Sequence, residues 1–335
     1  LMTDTNNNQT PAVGVLVVNL GTPEAPTSKA VRPYLRQFLS DPRVIEWPRW
    51  LWLPLLEAII LRVRPRRSAR LYEEIWTDEG SPLLTISQEI TAKLQEALSG
   101  ASETPVKAAL AMRYGQPSIA AGLEELRRAK AERILILPLY PQYSATTVGT
   151  IFDEVFDTLK QWRWVPEIRT INHYHEHPLY AEAIAGSIRR YWEENGRGDR
   201  LLLSYHGIPL SYSEKGDPYR EQCAQSTRLI AHALELDEEQ VFFTFQSRFG
   251  PEEWLQPYTD ETLISWAQEG IGRVDTVCHG FATDCLETLQ EMGMENRDLF
   301  LEAGGQEYAY IPALNASPEH IKLLTDLVQQ NCQGW

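Results

Sequence analysis

The residues best suited to chemistry in this chain are a histidine that ends an apolar run and a row of carboxylates at helical spacing. The histidine is His206, in Leu201-Leu-Leu-Ser-Tyr-His-Gly-Ile-Pro209. Three leucines suit a strand buried on both faces of a parallel sheet, and Gly207 and Pro209 stop it. His206 therefore falls at the carboxyl edge of the sheet, where open α/β folds bind their ligands. Position alone leaves two readings: a strand-end histidine satisfied by one backbone hydrogen bond, or a working imidazole. The carboxylates are Asp284, Glu287 and Glu291, at i, i+3 and i+7 of a helix expected over 282–292, with Glu295 four residues on. Such spacing lines them up on one face. Stacked like charges raise one another's pKa, so the row needs solvent, a cation or a proton path to relieve it. The plain alternative is a solvated acidic face. A strand expected over 274–278, with Phe281 just after it, brings Glu287 to the same cleft edge as His206. An imidazole facing a carboxylate across a cleft suits a divalent cation or proton abstraction.

Other candidates carry less. His173-Tyr-His-Glu-His177 puts three histidines on one side of an extended segment, but His177-Pro178 starts a helix and no fourth ligand lies nearby. Ser204 has no G-x-S-x-G elbow around it. Asn19-Leu-Gly-Thr-Pro23 lacks G-x-G-x-x-G, and Pro23 removes an amide that a pyrophosphate would need. This argues against a dinucleotide enzyme. A net charge of −15 argues against a protein that coats nucleic acid. Cys223, Cys278, Cys285 and Cys332 are scattered, which fits reduced thiols better than a disulfide framework. The polar start has no signal-peptide pattern, so the expected location is the cytoplasm.

The elements that must position these groups alternate between strand and helix. Strands are expected over 13–20, 106–112 and 134–137. Helices are expected over 27–39, over 83–98 with Gly100 just past its end, over 119–129 and near 148–159. That alternation means βαβ units and parallel sheets. The second half repeats the first. VLVVNLGTP at 15–23 matches LLLSYHGIP at 201–209, VKAALAMRYG at 106–115 matches VFFTFQSRFG at 241–250, and 133–137 pairs with 273–277. Three matches in order imply two similar lobes with a cleft between their strand ends. Between matched glycines the first lobe carries 51 extra positions. They include the apolar stretch from Trp47 to Leu61, followed by Arg62, Arg64, Arg66, Arg67 and Arg70. Broken by Pro54 and Glu57, this stretch is too short to span a bilayer. It suits a flap resting on a membrane surface, or one closing over a flat apolar ligand with carboxylates. The plain reading is a helical hairpin packed on the lobe.

Over nearly its whole length, 13–328, the chain resembles the ferrochelatase family, which inserts ferrous iron into a porphyrin. The motifs are Asn19-Leu-Gly-Thr-Pro23, Gly80-Ser-Pro82, Met112-Arg-Tyr-Gly115, Tyr140-Pro-Gln-Tyr-Ser144, Ser204-Tyr-His-Gly-Ile-Pro209, Gly216-Asp-Pro-Tyr219, Gln246-Ser-Arg-Phe-Gly250, Pro257-Tyr-Thr-Asp-Glu261, Phe281-Ala-Thr-Asp-Cys-Leu-Glu287 and Ala313-Leu-Asn315. The resemblance implies an α/β fold of two similar doubly wound lobes with parallel sheets, a cleft between them and an apolar lip inserted in the first. The lobes would span 11–160, with the lip at about 44–82, and 161–316, with a helix over 317–332 packing back on the first. It implies catalytic and metal-binding roles for His206 and Glu287, and an acidic relay over Asp284, Glu291 and Glu295. Propionate contacts fall on Arg64, Arg67, Ser81 and Ser247, and pocket walls on Leu20, Tyr114, Trp254 and Phe281. The implied substrates are Fe²⁺ and protoporphyrin IX, giving protoheme in the last step of heme synthesis. No nucleic acid is implied, and the lip implies peripheral contact with the inner membrane surface. Members with an iron–sulfur cluster carry a cysteine where this chain has Ala145 and more at the C-terminus, where it has Cys332, so no cluster and no cofactor beyond substrate iron are expected. His279 stands where relatives have proline, either as an extra ligand near the cleft or as a tolerated loop change, and the second is favoured. Three alternatives remain on sequence grounds: a coproporphyrin III ferrochelatase, a chelatase for cobalt or nickel, and a tetrapyrrole carrier without chemistry.

Overall fold

Along the first strand Val15 and Val17 pack to one side, and Leu16 and Val18 to the other. A strand apolar on both faces needs cover on both, and two layers of helices supply it. The computed structural model describes residues 12–101, 105–237 and 240–335; the polar start read from the sequence lies outside them. The first lobe begins with β1 (Ala12–Thr22) and α1 (Ser28–Leu39), which Thr27 caps by accepting from the Ala30 amide. The lip follows as α2 (Arg49–Leu55), a π-helical turn over Leu56–Ile60 and α3 (Leu61–Ile75). Next come α4 (Pro82–Ala101), β2 (Val106–Gly115), α5 (Ile119–Arg128) and β3 (Ala131–Pro138). A second π-helical turn, Ala145–Gly149, leads into α6 (Thr150–Leu159) and β4 (Glu167–Thr170).

The second lobe runs α7 (Pro178–Asn195), β5 (Arg200–His206), α8 (Leu210–Glu214), α9 (Tyr219–Ala233), β6 (Val241–Gln246), α10 (Thr259–Gln268) and β7 (Arg273–Val277). A long π-helical segment, Glu287–Glu295, is followed by α11 (Asn296–Glu302), β8 (Glu307–Ile311) and α12 (Pro318–Asn331). Both sheets are parallel and have the same order, β2-β1-β3-β4 and β6-β5-β7-β8. The internal repeat is therefore real, and it extends to a fourth strand and to a π-helical segment after the third strand of each lobe.

Four sequence expectations change. Because β4 pairs with β3, the first sheet extends beyond residue 160, where the sequence reading ended that lobe. Gly100 lies within α4 rather than after it. The helix expected over 282–292 does not form as drawn: residues 282–285 are irregular and π-helical winding starts at Glu287. The repeats also differ in register, since β1 pairs Val15 with Ala108 whereas β5 pairs Leu201 with Val241. That offset is two residues relative to the sequence match, and an even slip keeps every side chain on its face.

One apolar cluster joins the inward faces of both sheets. It holds Val15, Val17, Leu201, Leu203 and Tyr205, with Ile90 and Leu94 of α4 and Leu323, Leu324 and Leu327 of α12. At the rear, Asp217 of the second lobe accepts from Ser144 Oγ (2.9 Å) and the Ala145 amide (2.8 Å) of the first. These links join two of the family-like motifs across the lobes.

The lip is a single bent helical run, not a hairpin. Pro54 and Pro65 sit inside it, each removing an i→i−4 hydrogen bond, and between them the chain winds in i→i+5 fashion. Trp52, Leu56, Leu61, Pro65, Ala69 and Tyr72 face inward, with Trp52 Nε1 donating to the Leu39 carbonyl at 2.7 Å. The other face leaves Trp50 76%, Ile59 56% and Val63 68% exposed. Across the cleft mouth, Trp47 Nε1 donates to Glu252 Oε1 (2.8 Å), Lys215 pairs with Glu46 (2.5 Å) and the Tyr212 hydroxyl donates to the Val44 carbonyl (3.1 Å). Among the described residues no helix is long and apolar enough to cross a membrane.

Candidate active site

His206 is the last residue of β5, as its sequence position implies. Its Nδ1 lies 2.6 Å from the Gly207 carbonyl. A carbonyl only accepts, so Nδ1 carries the hydrogen, and the neutral ring keeps its lone pair on Nε2. Gly207 lets Trp254 close in: a Cβ there would come within 3.1 Å of the Trp254 ring. Phe281 lies edge-on to His206 at 6.4 Å.

Opposite stands the π-helical segment with Glu287, Glu291 and Glu295. Glu291 accepts from Gln246 Nε2 at 3.1 Å and from the Ser247 hydroxyl. Burial pushes its carboxyl up; the Ser247 and Gln246 hydrogen bonds and a charged His206 oppose this, and Glu287 adds to it. Glu291 therefore lies within the electrostatic reach of both His206 and Glu287. Glu295 is exposed, so the row runs from the interior to solvent. Glu287 borders a cavity of about 10 Å³ with Leu20, Thr22, Tyr34, Tyr72 and Ser81, room for about one water. Burial, with Glu287 contributing, raises both the Tyr34 and Tyr72 phenols, which keeps them protonated.

Arg64 reaches into the mouth, its guanidinium 5.3 Å from the Phe249 ring centre. Burial, then the neighbouring Arg67, lowers its pKa, while Glu287 favours its charge. Among the described residues neither Arg64 nor Arg67 has a carboxylate at ion-pairing distance. Gly21 closes the first-lobe side; at φ +113° its Cβ would sit 1.7 Å from the Tyr114 carbonyl oxygen, so only glycine fits.

Several sequence-derived assignments need correction. Asp284 does not join the acidic row. It precedes the helical segment and is buried, and its carboxylate accepts from Tyr310 (2.6 Å), Asn315 (2.7 Å) and Thr288 (3.0 Å). Those bonds make it an anchor for the start of the segment. Tyr114 is not a pocket wall. It is fully buried under Arg113, with its hydroxyl on Asp41 at 3.0 Å. Ser247 turns its hydroxyl to Glu291, and Ser81 shares a 2.8 Å hydrogen bond with Thr22, so neither is free for a propionate as it stands. His279 lies 2.5 Å from the Tyr205 hydroxyl inside the second lobe, where burial lowers its pKa to about 3. The three histidines of 173–177 do not gather at one point: the His173 and His175 rings lie 5.1 Å apart, with His173 exposed and His175 on Gln225, while His177 caps α7 and faces Asp326. Among the described residues no three His, Cys, Asp or Glu side chains converge as a metal cage.

Sequence reasoning passed over Gln246, which pairs with His206 across the β5–β6 ladder. The available signal was a lone amide ending a strand that is apolar but for Thr244, where the first-lobe match has Ala111. It also passed over Tyr34 and Tyr72, which no motif marks.

The family model for ferrochelatase matches residues 12–332. The ferrochelatase of Nitrosococcus oceani is 56% identical over 323 residues, covering 96% of this chain and 88% of that protein. Its counterpart in Methylococcus capsulatus is 53% identical over 316 residues, covering 94% and 95%. The chain belongs to the ferrochelatase family. It is therefore an enzyme, a metal chelatase, and its two-lobed fold has distant structural kin. SirB from Bacillus subtilis, solved with Fe³⁺, superposes with a TM-score of 0.56 at 14% identity, covering 96% of each chain. At that identity the likeness concerns the fold alone.

Proposed function

We propose that this ferrochelatase-family enzyme inserts Fe²⁺ into protoporphyrin IX to give protoheme, the last step of heme synthesis. Insertion replaces two pyrrole protons by one divalent ion, so the site must accept protons at the ring and lead charge away. The observation that carries the reading is the acidic row, half-buried at Glu291 within the electrostatic reach of His206 and exposed at Glu295. In this reading the lone pair on His206 Nε2 takes a pyrrole proton or meets the incoming iron, and Glu287 and Glu291 pass protons out or iron in. Arg64 and Arg67, unpaired and close to the cleft mouth, hold the propionates through charge-assisted hydrogen bonds. Leu20, Trp254 and Phe281 wall the ring. Two anchoring arginines beside an apolar lip favour a ring with two propionates over the four of coproporphyrin III.

The exposed face of the lip, with Trp50, Ile59 and Val63 beside Arg62 and Arg66, supports a peripheral seat on an anionic membrane surface for a cytoplasmic enzyme. No iron–sulfur cluster belongs to this reading, because Ala145 stands where cluster-bearing relatives use cysteine. The test is anaerobic Fe²⁺ insertion followed by absorbance, with protoporphyrin IX and coproporphyrin III offered side by side. Turnover of protoporphyrin is the expected result. A preference for coproporphyrin would overturn the account of the lip, and tight porphyrin binding without insertion of any metal would overturn the enzymatic reading.

A further inference from the structure

Gln246 is a fully hydrogen-bonded side-chain amide between the His206 strand and the acidic segment, and the mechanism above does not use it. It is 4% exposed. Its Nε2 donates to the Glu287 carbonyl (2.9 Å) and to Glu291 Oε2 (3.1 Å), using both amide hydrogens. Its Oε1 accepts from the Ser204 hydroxyl (2.8 Å) and the Cys278 thiol (3.4 Å). Behind Ser204, the Thr259 hydroxyl lies 3.0 Å away and Thr244 a further 2.8 Å from Thr259. With the amide oxygen toward Ser204, that hydroxyl spends its one hydrogen on Gln246 and can accept from Thr259, which can accept from Thr244 in turn. With the opposite orientation, an oxygen would face both a carbonyl and a carboxylate in a buried place, which is strongly unfavourable.

Resting on the iron-insertion reading, we infer that Gln246 is a positioning residue: it clamps Glu291 and the first π-helical turn to the strand end that carries His206. One amide thus sets two distances. It ties the carbonyl of Glu287, and with it the winding of the segment, to β6, and it holds the Glu291 carboxylate on the same strand beside Ser247. A methionine would fill the same volume and hold neither group. Ser204 acts one step further out, by orienting the amide.

The test is a double-mutant cycle on iron insertion, using Gln246→Met, Glu291→Gln and both together, with melting temperatures measured alongside. If Gln246 works through Glu291, Gln246→Met lowers kcat by roughly 10- to 100-fold with little change in KM for the porphyrin. In the Glu291→Gln background the same change should then cost only about twofold. Additive losses, or full turnover in Glu291→Gln, would overturn the inference while leaving the insertion reading intact. A crystal structure of Gln246→Met gives a readout that does not depend on activity: the Glu291 carboxylate is expected to leave Ser247, and an unmoved carboxylate would overturn the clamp even if the enzyme proved to have another substrate. Should Gln246→Met fail to fold, Gln246→Asn keeps an amide one methylene too short to span both partners and reads the same coupling.

Discussion

The two lobes have the same sheet order and differ at the strand ends. Where β5 finishes on His206, the sequence match in β1 is Leu20; where β6 finishes on Gln246, with Ser247 next, the sequence match in β2 has Ala111 and Met112. After the third strand both lobes wind a π-helical segment. In the first lobe it is five residues long, has no carboxylate, and follows a residue bonded to Asp217 of the opposite lobe. In the second it is nine residues long and carries the acidic row. The first lobe instead holds the long insertion with its tryptophans and arginines. In the proposed reading this divides a repeated scaffold into a half that grips and a half that reacts, with the differing residues placed where strands stop and the sheet order kept.

Substitutions can break this division, beginning with the largest effect. His206→Ala is expected to reduce iron insertion by about 10²–10⁴-fold while porphyrin binding, followed by fluorescence quenching, persists; normal turnover would remove the reacting role from the second lobe. Glu287→Gln should cost more activity than Glu291→Gln, and equal losses would mark the row as one indivisible relay. Glu291→Gln carries a second expectation. Burial raises the Glu291 carboxyl, so its ionised form opposes folding at neutral pH, and that opposition disappears as pH falls below the unfolded carboxylate value. Glu291→Gln should therefore melt at a higher temperature than the parent at about pH 8, with the gap closing in acid.

A milder change tests the gripping half. Arg64→Ala should raise KM for the porphyrin about tenfold and leave kcat within about threefold, since it removes one charge-assisted contact. A fall in kcat alone would mean that this arginine belongs with the reacting groups. The smallest effect concerns stability alone. His279 is held neutral by burial, its pKa lowered from 6.5 to about 3, so the unfolded chain binds a proton there that the folded one refuses. Its contribution is lost as pH falls from 6.5 toward about 3, and His279→Phe should flatten the acid limb of a stability curve there. An unchanged limb would assign acid sensitivity to other groups, His320 among them, whose pKa is lowered to about 4.

The two-lobed frame was readable because each central strand is a run of apolar residues closed by Gly-x-Pro, and such runs repeat visibly. His206 was readable for the same reason, as the residue at which such a run stops. The π-helical segments were not, because i→i+5 bonding leaves no period that a helical reading at 3.6 residues per turn would notice. That one gap misassigned Asp284, which an ordinary helix would have aligned with Glu287. Tyr114 was misread as a wall because an aromatic residue in a motif looks the same in sequence whether it faces a cleft or is packed beneath an arginine. Gln246 was missed because its importance lies in four partners, Ser204, Cys278, Glu287 and Glu291, the nearest of them 32 residues away in sequence.

The rim contacts of the lip have a kinetic side. In the proposed reading the flat ring enters and leaves past this rim, and a passage that parts it breaks the Glu46–Lys215 ion pair and the Trp47–Glu252 hydrogen bond. Throughput then has a gate in series with the bond-making step. Salt loosens the exposed ion pair and viscous solvents drag on the moving lip, so the two agents should push the rate in opposite directions whenever the gate is the slower of the two.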